Sequence, residues 1–144
     1  MVSRIGRTVR ARRHEAGTSV VEMAIVLPLL LLLVFGIGEF GVAYTRWNSL
    51  TNATREGVRE GVVFRNPCDP ATIATLIETT VENFAASSGL DGANITTTPV
   101  GACLGTGTQL TVTSTTPYDY IVLDAFLGLA PTINLSARSV MRNE

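Results

Sequence analysis

Hydrophobic and polar positions divide the chain into three zones. Sixteen uncharged residues separate Glu22 from Glu39, and thirteen of them are apolar. At about 1.5 Å per residue this core is roughly 24 Å long, short of the approximately 30 Å of bilayer hydrocarbon. Thr18–Val21 before it and Phe40–Tyr44 after it make up the length and leave Glu22 and Glu39 near the two edges of the slab. Tyr44 and Trp47 follow at the far end, where amphipathic aromatic rings favour the interface. The pattern predicts a transmembrane helix over residues 18–45. Beyond it, Trp47, Leu50, Thr54, Val58, Gly61 and Phe64 recur every three or four residues, so the helix is expected to continue outward as an amphipathic stalk. Asn66-Pro67 is the expected stop, because a residue before proline is pushed out of the α region.

Asp69 then reads as the cap of a second helix with Pro70 at its first position. Its predicted stripe is Ile73, Leu76, Ile77, Thr80, Val81 and Phe84, and Ser88-Gly89 is the predicted stop. Past Gly89 the spacing changes to strand-like alternation rich in threonine, whose branched Cβ suits a pleated surface. Three strands are expected: Ala93–Pro99, Gln109–Thr115 with Leu110, Val112 and Ser114 on one face, and Thr132–Met141 with Ile133, Leu135 and Ala137 in register. The apolar stretch Asp119–Leu129 is expected to hold a short helix. The fold class is therefore α+β: a long, pilin-like N-terminal transmembrane and stalk helix, then a second helix and a small antiparallel sheet within residues 46–144.

Charge orients this plan. Residues 1–17 hold five arginines against one glutamate, a net +4, while the rest of the chain carries −5 and the whole has no lysine. A basic head before an apolar run is a membrane-targeting pattern, with the arginines in the cytoplasm and the bulk of the chain outside. The overall net charge of −1 gives no basic face for a nucleic-acid partner. With 46% apolar and 16% charged residues, the chain is not of a disordered composition.

The junction between the first two zones reads Arg12-Arg13-His14-Glu15-Ala16-Gly17-Thr18-Ser19-Val20-Val21-Glu22. A basic leader ends at a glycine, and a lone glutamate follows five residues later at the start of an apolar helix. This resembles the processing site of type IV prepilins and pseudopilins, where a membrane-embedded aspartyl peptidase cuts after the glycine on the cytoplasmic side. The runs Val21–Leu30, Phe35–Gly41 and Ser49–Arg59 extend the likeness, and together with the junction they resemble the TadE-like family, minor pseudopilins of the tight-adherence (Flp/Tad) pilus machinery. Ile133–Arg142 is similar to that family's closing strand.

The resemblance implies roles for particular residues. The leader 1–17 would be removed between Gly17 and Thr18, with Glu22 part of the processing and assembly signal. A charged, unpaired carboxylate at the edge of a membrane helix costs several kcal/mol, so Glu22 needs a cation or a donor. Cleavage would create one, the new α-amino group of Thr18, which a neighbouring subunit's glutamate could meet in a filament; the alternative is that Glu22 snorkels to the headgroups. Threonine as the first mature residue departs from the aromatic found in type IV pilins, which puts N-methylation in doubt. Glu39 poses the same problem at the outer edge, as a contact to a partner subunit or as a solvated interface residue. Pro28 removes one helix hydrogen bond, either to bend the helix for assembly or as a tolerated membrane proline.

Cys68 and Cys103 both lie in the outer part, where an oxidising space makes a disulfide the expected state and two free thiols the alternative. Ala53, Gly57 and Gly61, four residues apart in turn, could admit another backbone or seat the chain's own sheet. Arg55, Glu56, Arg59 and Glu60 read as a solvated face with one Glu56–Arg59 pair. No catalytic set, metal cluster, phosphate loop or cofactor motif is legible; the single histidine, His14, lies in the leader, and Gly101–Gly107 reads as a turn. The expectation is a non-enzymatic pilus-assembly protein without a cofactor. Its implied partners are a prepilin peptidase, a major Flp-type pilin, other pseudopilins, the inner-membrane assembly platform and membrane lipid. The rivals are an unprocessed signal-anchor protein with an extracytoplasmic binding domain, and a secreted protein cut near Gly38, against which the absence of an Ala-x-Ala-like site speaks.

Overall fold

A computed structural model describes residues 6–63, 65–128 and 132–143 of the chain. One helix, α1, runs unbroken over Gly6–Gly61 and passes through Pro28. From Thr18 to its end it is about 66 Å long. Its inner half, Val20 to Ile37, exposes nearly every large apolar side chain, whereas Leu50, Ala53, Thr54 and Val58 farther on are fully buried. The switch from exposed apolar surface to buried core surface thus falls on one continuous helix. The helix stops five residues before the expected Asn66-Pro67. Arg65 folds back there, donating from its guanidinium to the Glu60 carbonyl (3.1 Å) and carboxylate (2.6 Å), and so satisfies a carbonyl the ending helix leaves open. The Asn66–Pro67 peptide is cis, and Phe64 of the expected stripe lies outside the described residues.

The second helix, α2, spans Pro70–Ser87 with Asp69 as N-cap and Pro70 at its start, as expected. Its buried face is Ile73, Ile77, Val81 and Ala85, and Phe84 of the predicted stripe is 39% exposed. Partners that meet α2 along a single i, i+4 row leave the i+3 positions at the rim.

A 3₁₀ turn, Gly92–Asn94, precedes β1 (Thr96–Val100). Asp91 accepts hydrogen bonds from the Ala93 amide and the Asn94 side chain and holds those residues in a turn, so the strand starts later than the expected Ala93. β2 runs over Gln109–Asp119, α3 over Ile121–Leu127 and β3 over Thr132–Arg142, forming an antiparallel sheet in the order β1-β2-β3. β2 continues past the expected Thr115 through Pro117, because β1 pairs only as far as Thr115; the missing N–H falls where β2 has one neighbour.

The alternation holds. Leu110, Val112, Ser114, Thr116 and Tyr118 are buried, opposite Met141, Ser139, Ala137, Leu135 and Ile133 of β3. This face closes on α1 and α2, and the core joins Leu50, Ala53 and Val58 to Ile73, Ile77, Val81 and Ala85 and to Leu110, Val112 and Ala137. The Ala53-Gly57-Gly61 row lies inside this core: a Cβ on Gly61 would sit 2.6 Å from Ile77 Cδ1 and 2.7 Å from Leu110 Cδ2. Of the two occupants considered for that row, the chain's own α2 and sheet take it. Cys68 and Cys103 form a disulfide with Cα atoms 5.8 Å apart. Closing a loop of 35 residues contributes about 3–4 kcal/mol in the chain-entropy account.

Candidate functional site

The apolar half of α1 and the level at which the outer domain meets it form the candidate site. Among the described residues this is the one helix long and apolar enough to cross a membrane. Gly17, Thr18 and Glu22 lie on it without a break and are all exposed, Thr18 and Glu22 one turn apart on the same side. Glu22 and Glu39 are seventeen positions apart, about 26 Å along the axis, so they flank the sixteen-residue apolar core, with Pro28 between. His14 belongs to the part of α1 whose side chains lie outside the described set.

Glu39 is the residue whose surroundings the sequence did not reveal. It is 7% exposed, so it is not a solvated interface glutamate. Its carboxylate accepts hydrogen bonds from the backbone amides of Ile121 and Val122, the latter at 3.0 and 3.2 Å to its two oxygens. The carboxylate thus closes the N-terminal end of α3, a place where backbone amides need acceptors and a negative charge is favoured. The same contact supplies the donors that a carboxylate at a bilayer edge requires. The Tyr118 hydroxyl adds a hydrogen bond to the Glu39 carbonyl, at 3.4 Å.

Two turns farther out along α1, the Arg46 guanidinium lies over the Tyr118 ring, 5.1 Å from its centroid, and Tyr118 meets Tyr120 edge to face at 5.2 Å. Burial pushes the Tyr118 hydroxyl above its ordinary pKa of 10.0; the Glu39 charge adds to the rise and Arg46 opposes it. Trp47 packs against Tyr44 with ring centroids 5.8 Å apart, and its indole N–H donates to the Ser136 carbonyl of β3 at 3.0 Å. Arg46, Tyr118 and Ile121, with Val42, Leu90, Asp91, Asn94 and Asp119 among their neighbours, line a cleft of about 440 Å³.

The contacts that tie α1 to the outer domain are not legible in the sequence because they join positions far apart along it, 83 residues for Glu39 with Val122 and 89 for Trp47 with Ser136. The one available sign was the apolar stretch after Asp119, which announces a short helix but not its partner. On the stalk, the expected Glu56–Arg59 pair forms at 3.5 Å between exposed side chains, and Glu60 pairs with Arg65 instead of facing solvent alone. No group of three or more metal-ligating side chains occurs among the described residues.

No curated protein and no solved structure matches the chain. A family model does, that of the TadE-like proteins, over residues 17–59. The match begins at Gly17 and ends two residues before α1 does, so it covers the apolar surface, Glu22, Pro28, Glu39, the aromatic pair and most of the buried stalk. Over those residues, most of the long helix that carries the outer domain, the chain is similar to the TadE-like proteins.

Proposed function

We propose that the chain is a minor pseudopilin-like assembly factor of a Flp/Tad pilus, made as a single-span membrane protein with its N-terminus in the cytoplasm. The observation that carries this reading is the TadE-like match over a helix that is apolar and exposed in its first half and packed under its own domain in its second. The leader arginines hold the N-terminus inside while the helix inserts. A prepilin peptidase then cuts between Gly17 and Thr18 and frees the amine of Thr18. The exposed span next packs beside a major Flp-type pilin or another pseudopilin at the assembly platform, with the Glu22 carboxylate meeting a neighbour's new α-amine. The protein acts without catalysis and without a cofactor.

Intact mass of the full chain, expressed with and without a prepilin peptidase, tests the reading. The expected product begins at Thr18 only when the peptidase is present, and Glu22→Ala leaves the protein in the membrane but lowers its recovery with pili. A chain that still begins at Met1 in the presence of active peptidase overturns the processing step. Unchanged recovery of Glu22→Ala favours the signal-anchor rival.

A further inference from the structure

The outer domain does not stand off on a stalk; it reaches down α1 to Glu39, inside the apolar run. With the Glu39 carboxylate occupied by backbone amides, the uninterrupted apolar surface extends from Met23 to Tyr44, twenty-two positions. That is about 33 Å, enough for the hydrocarbon slab that the sixteen-residue core fell short of. Glu39 lies five positions inside the outer end of this span, about 8 Å deep. Ile121 and Val122 are hydrogen-bonded to it and so are held at the same depth.

What α3 carries at that depth is apolar. Ile121 is 77% exposed, more than any large apolar side chain of the span itself. Asp124 is the single charge between Asp119 and Arg138 in the sequence. Tyr118 and Tyr120 adjoin the start of α3 and meet edge to face, and on α1 Tyr44 and Trp47 follow five and eight positions beyond Glu39. Amphipathic rings near the end of an apolar span mark a membrane–water boundary. Phe40, next to Glu39, is 68% exposed and Tyr44 54%, so the exposed surface of α1 is apolar at and just beyond the level at which α3 meets it.

We infer that α3 and the two tyrosines at its start form a second membrane contact, in which Ile121 enters the acyl region of the outer leaflet and seats the domain on the lipid surface. The depth from Glu39 agrees with the approximately 5–10 Å to which interfacial helices are buried. This inference rests on the membrane-spanning reading of α1, not on the pilus reading.

Site-directed spin labelling of the full chain, with its disulfide intact, in vesicles of phosphatidylcholine and phosphatidylglycerol tests it. Labels are placed singly at Ile121→Cys, at Leu30→Cys in the span and at Leu104→Cys, which is 68% exposed on the outer domain. Ala125→Cys, also exposed, serves as a second α3 site should the first variant fold poorly. The expected result is collision with oxygen in preference to a water-soluble nickel chelate at 121, as at 30, and the reverse at 104. Chelate access at 121 equal to that at 104, with 30 still in lipid, overturns the inference alone. Shielding of 121 from both reagents also overturns it, because a protein partner then covers α3. A water-exposed label at 30 sinks the membrane span and the inference together.

Discussion

A Cβ added to Gly57 of α1 would lie 2.5 Å from Val81 Cγ2 of α2, so the two helices meet backbone against side chain at this point. Val81 is fully buried and β-branched, so it has no alternative rotamer to retreat into. The Gly57→Ala variant gains about 1 kcal/mol in helix propensity but overpacks the core at a cost of about 1–3 kcal/mol. It is expected to be the less stable protein. Gly36→Ala, with nothing near its Cβ, is expected to be unaffected or slightly stabilised. Urea unfolding in detergent, followed by Trp47 fluorescence, distinguishes the two. Combining Gly57→Ala with Val81→Ala should cost less than the sum of the single changes, because they share one contact. Equal midpoints for wild type and Gly57→Ala contradict the close approach.

Replacing Glu39 by leucine leaves the Ile121 and Val122 amides without their acceptor while keeping the helix apolar. An unsatisfied buried donor costs about 1–3 kcal/mol, and α3 has little else at its start, since Tyr120 makes no side-chain cap bond. Amide exchange at 121 and 122 is expected to accelerate by one to two orders of magnitude, roughly the factor that such an energy implies. Glu39→Gln keeps one acceptor oxygen and should fall between leucine and wild type. Exchange that is the same in all three proteins removes Glu39 from any role in holding α3.

The Asp69 cap predicts a direction with pH. The Thr72 hydroxyl and then the Thr72 amide hold the Asp69 carboxyl below its ordinary value of 3.8. A group whose folded pKa is depressed contributes stability that is fully present above the unfolded pKa and is lost as pH falls through the folded one. The urea midpoint of the wild type should therefore drop in strongly acidic solution by more than that of Asp69→Asn, which can cap without titrating. At neutral pH the two should unfold at similar midpoints and Asp69→Ala at a lower one. Parallel acid profiles for wild type and Asp69→Asn would show that the carboxylate at this cap is not linked to folding.

Much of the plan was legible because it rests on local periodicity. Thirteen apolar residues in sixteen specify a helix apolar enough to cross a membrane, and Asp69-Pro70 specifies a helix start through the nearby Thr72 amide and hydroxyl. The alternation from Leu110 carries the face of β2 that is buried, since side chains two apart must share a side. Cys68 and Cys103 were a pair by count and compartment alone. Boundaries were less legible: Arg65 ends α1 early by bonding Glu60, and Asp91 delays β1, both through side chains whose reach no periodic pattern records.

The sequence by itself determined a long apolar helix with a small α+β domain beyond it, because spacing and capping act over a few residues at a time. The tertiary structure alone decided what Glu39 does. Its carboxylate stands in an apolar run where it must have donors, and the donors are backbone amides some eighty residues later. Only the closure of the β2–β3 connection onto α1 brings them within 3.0 Å. The same closure sets Trp47 against Ser136 and Arg46 over Tyr118, and so holds the domain against α1 from Glu39 outward.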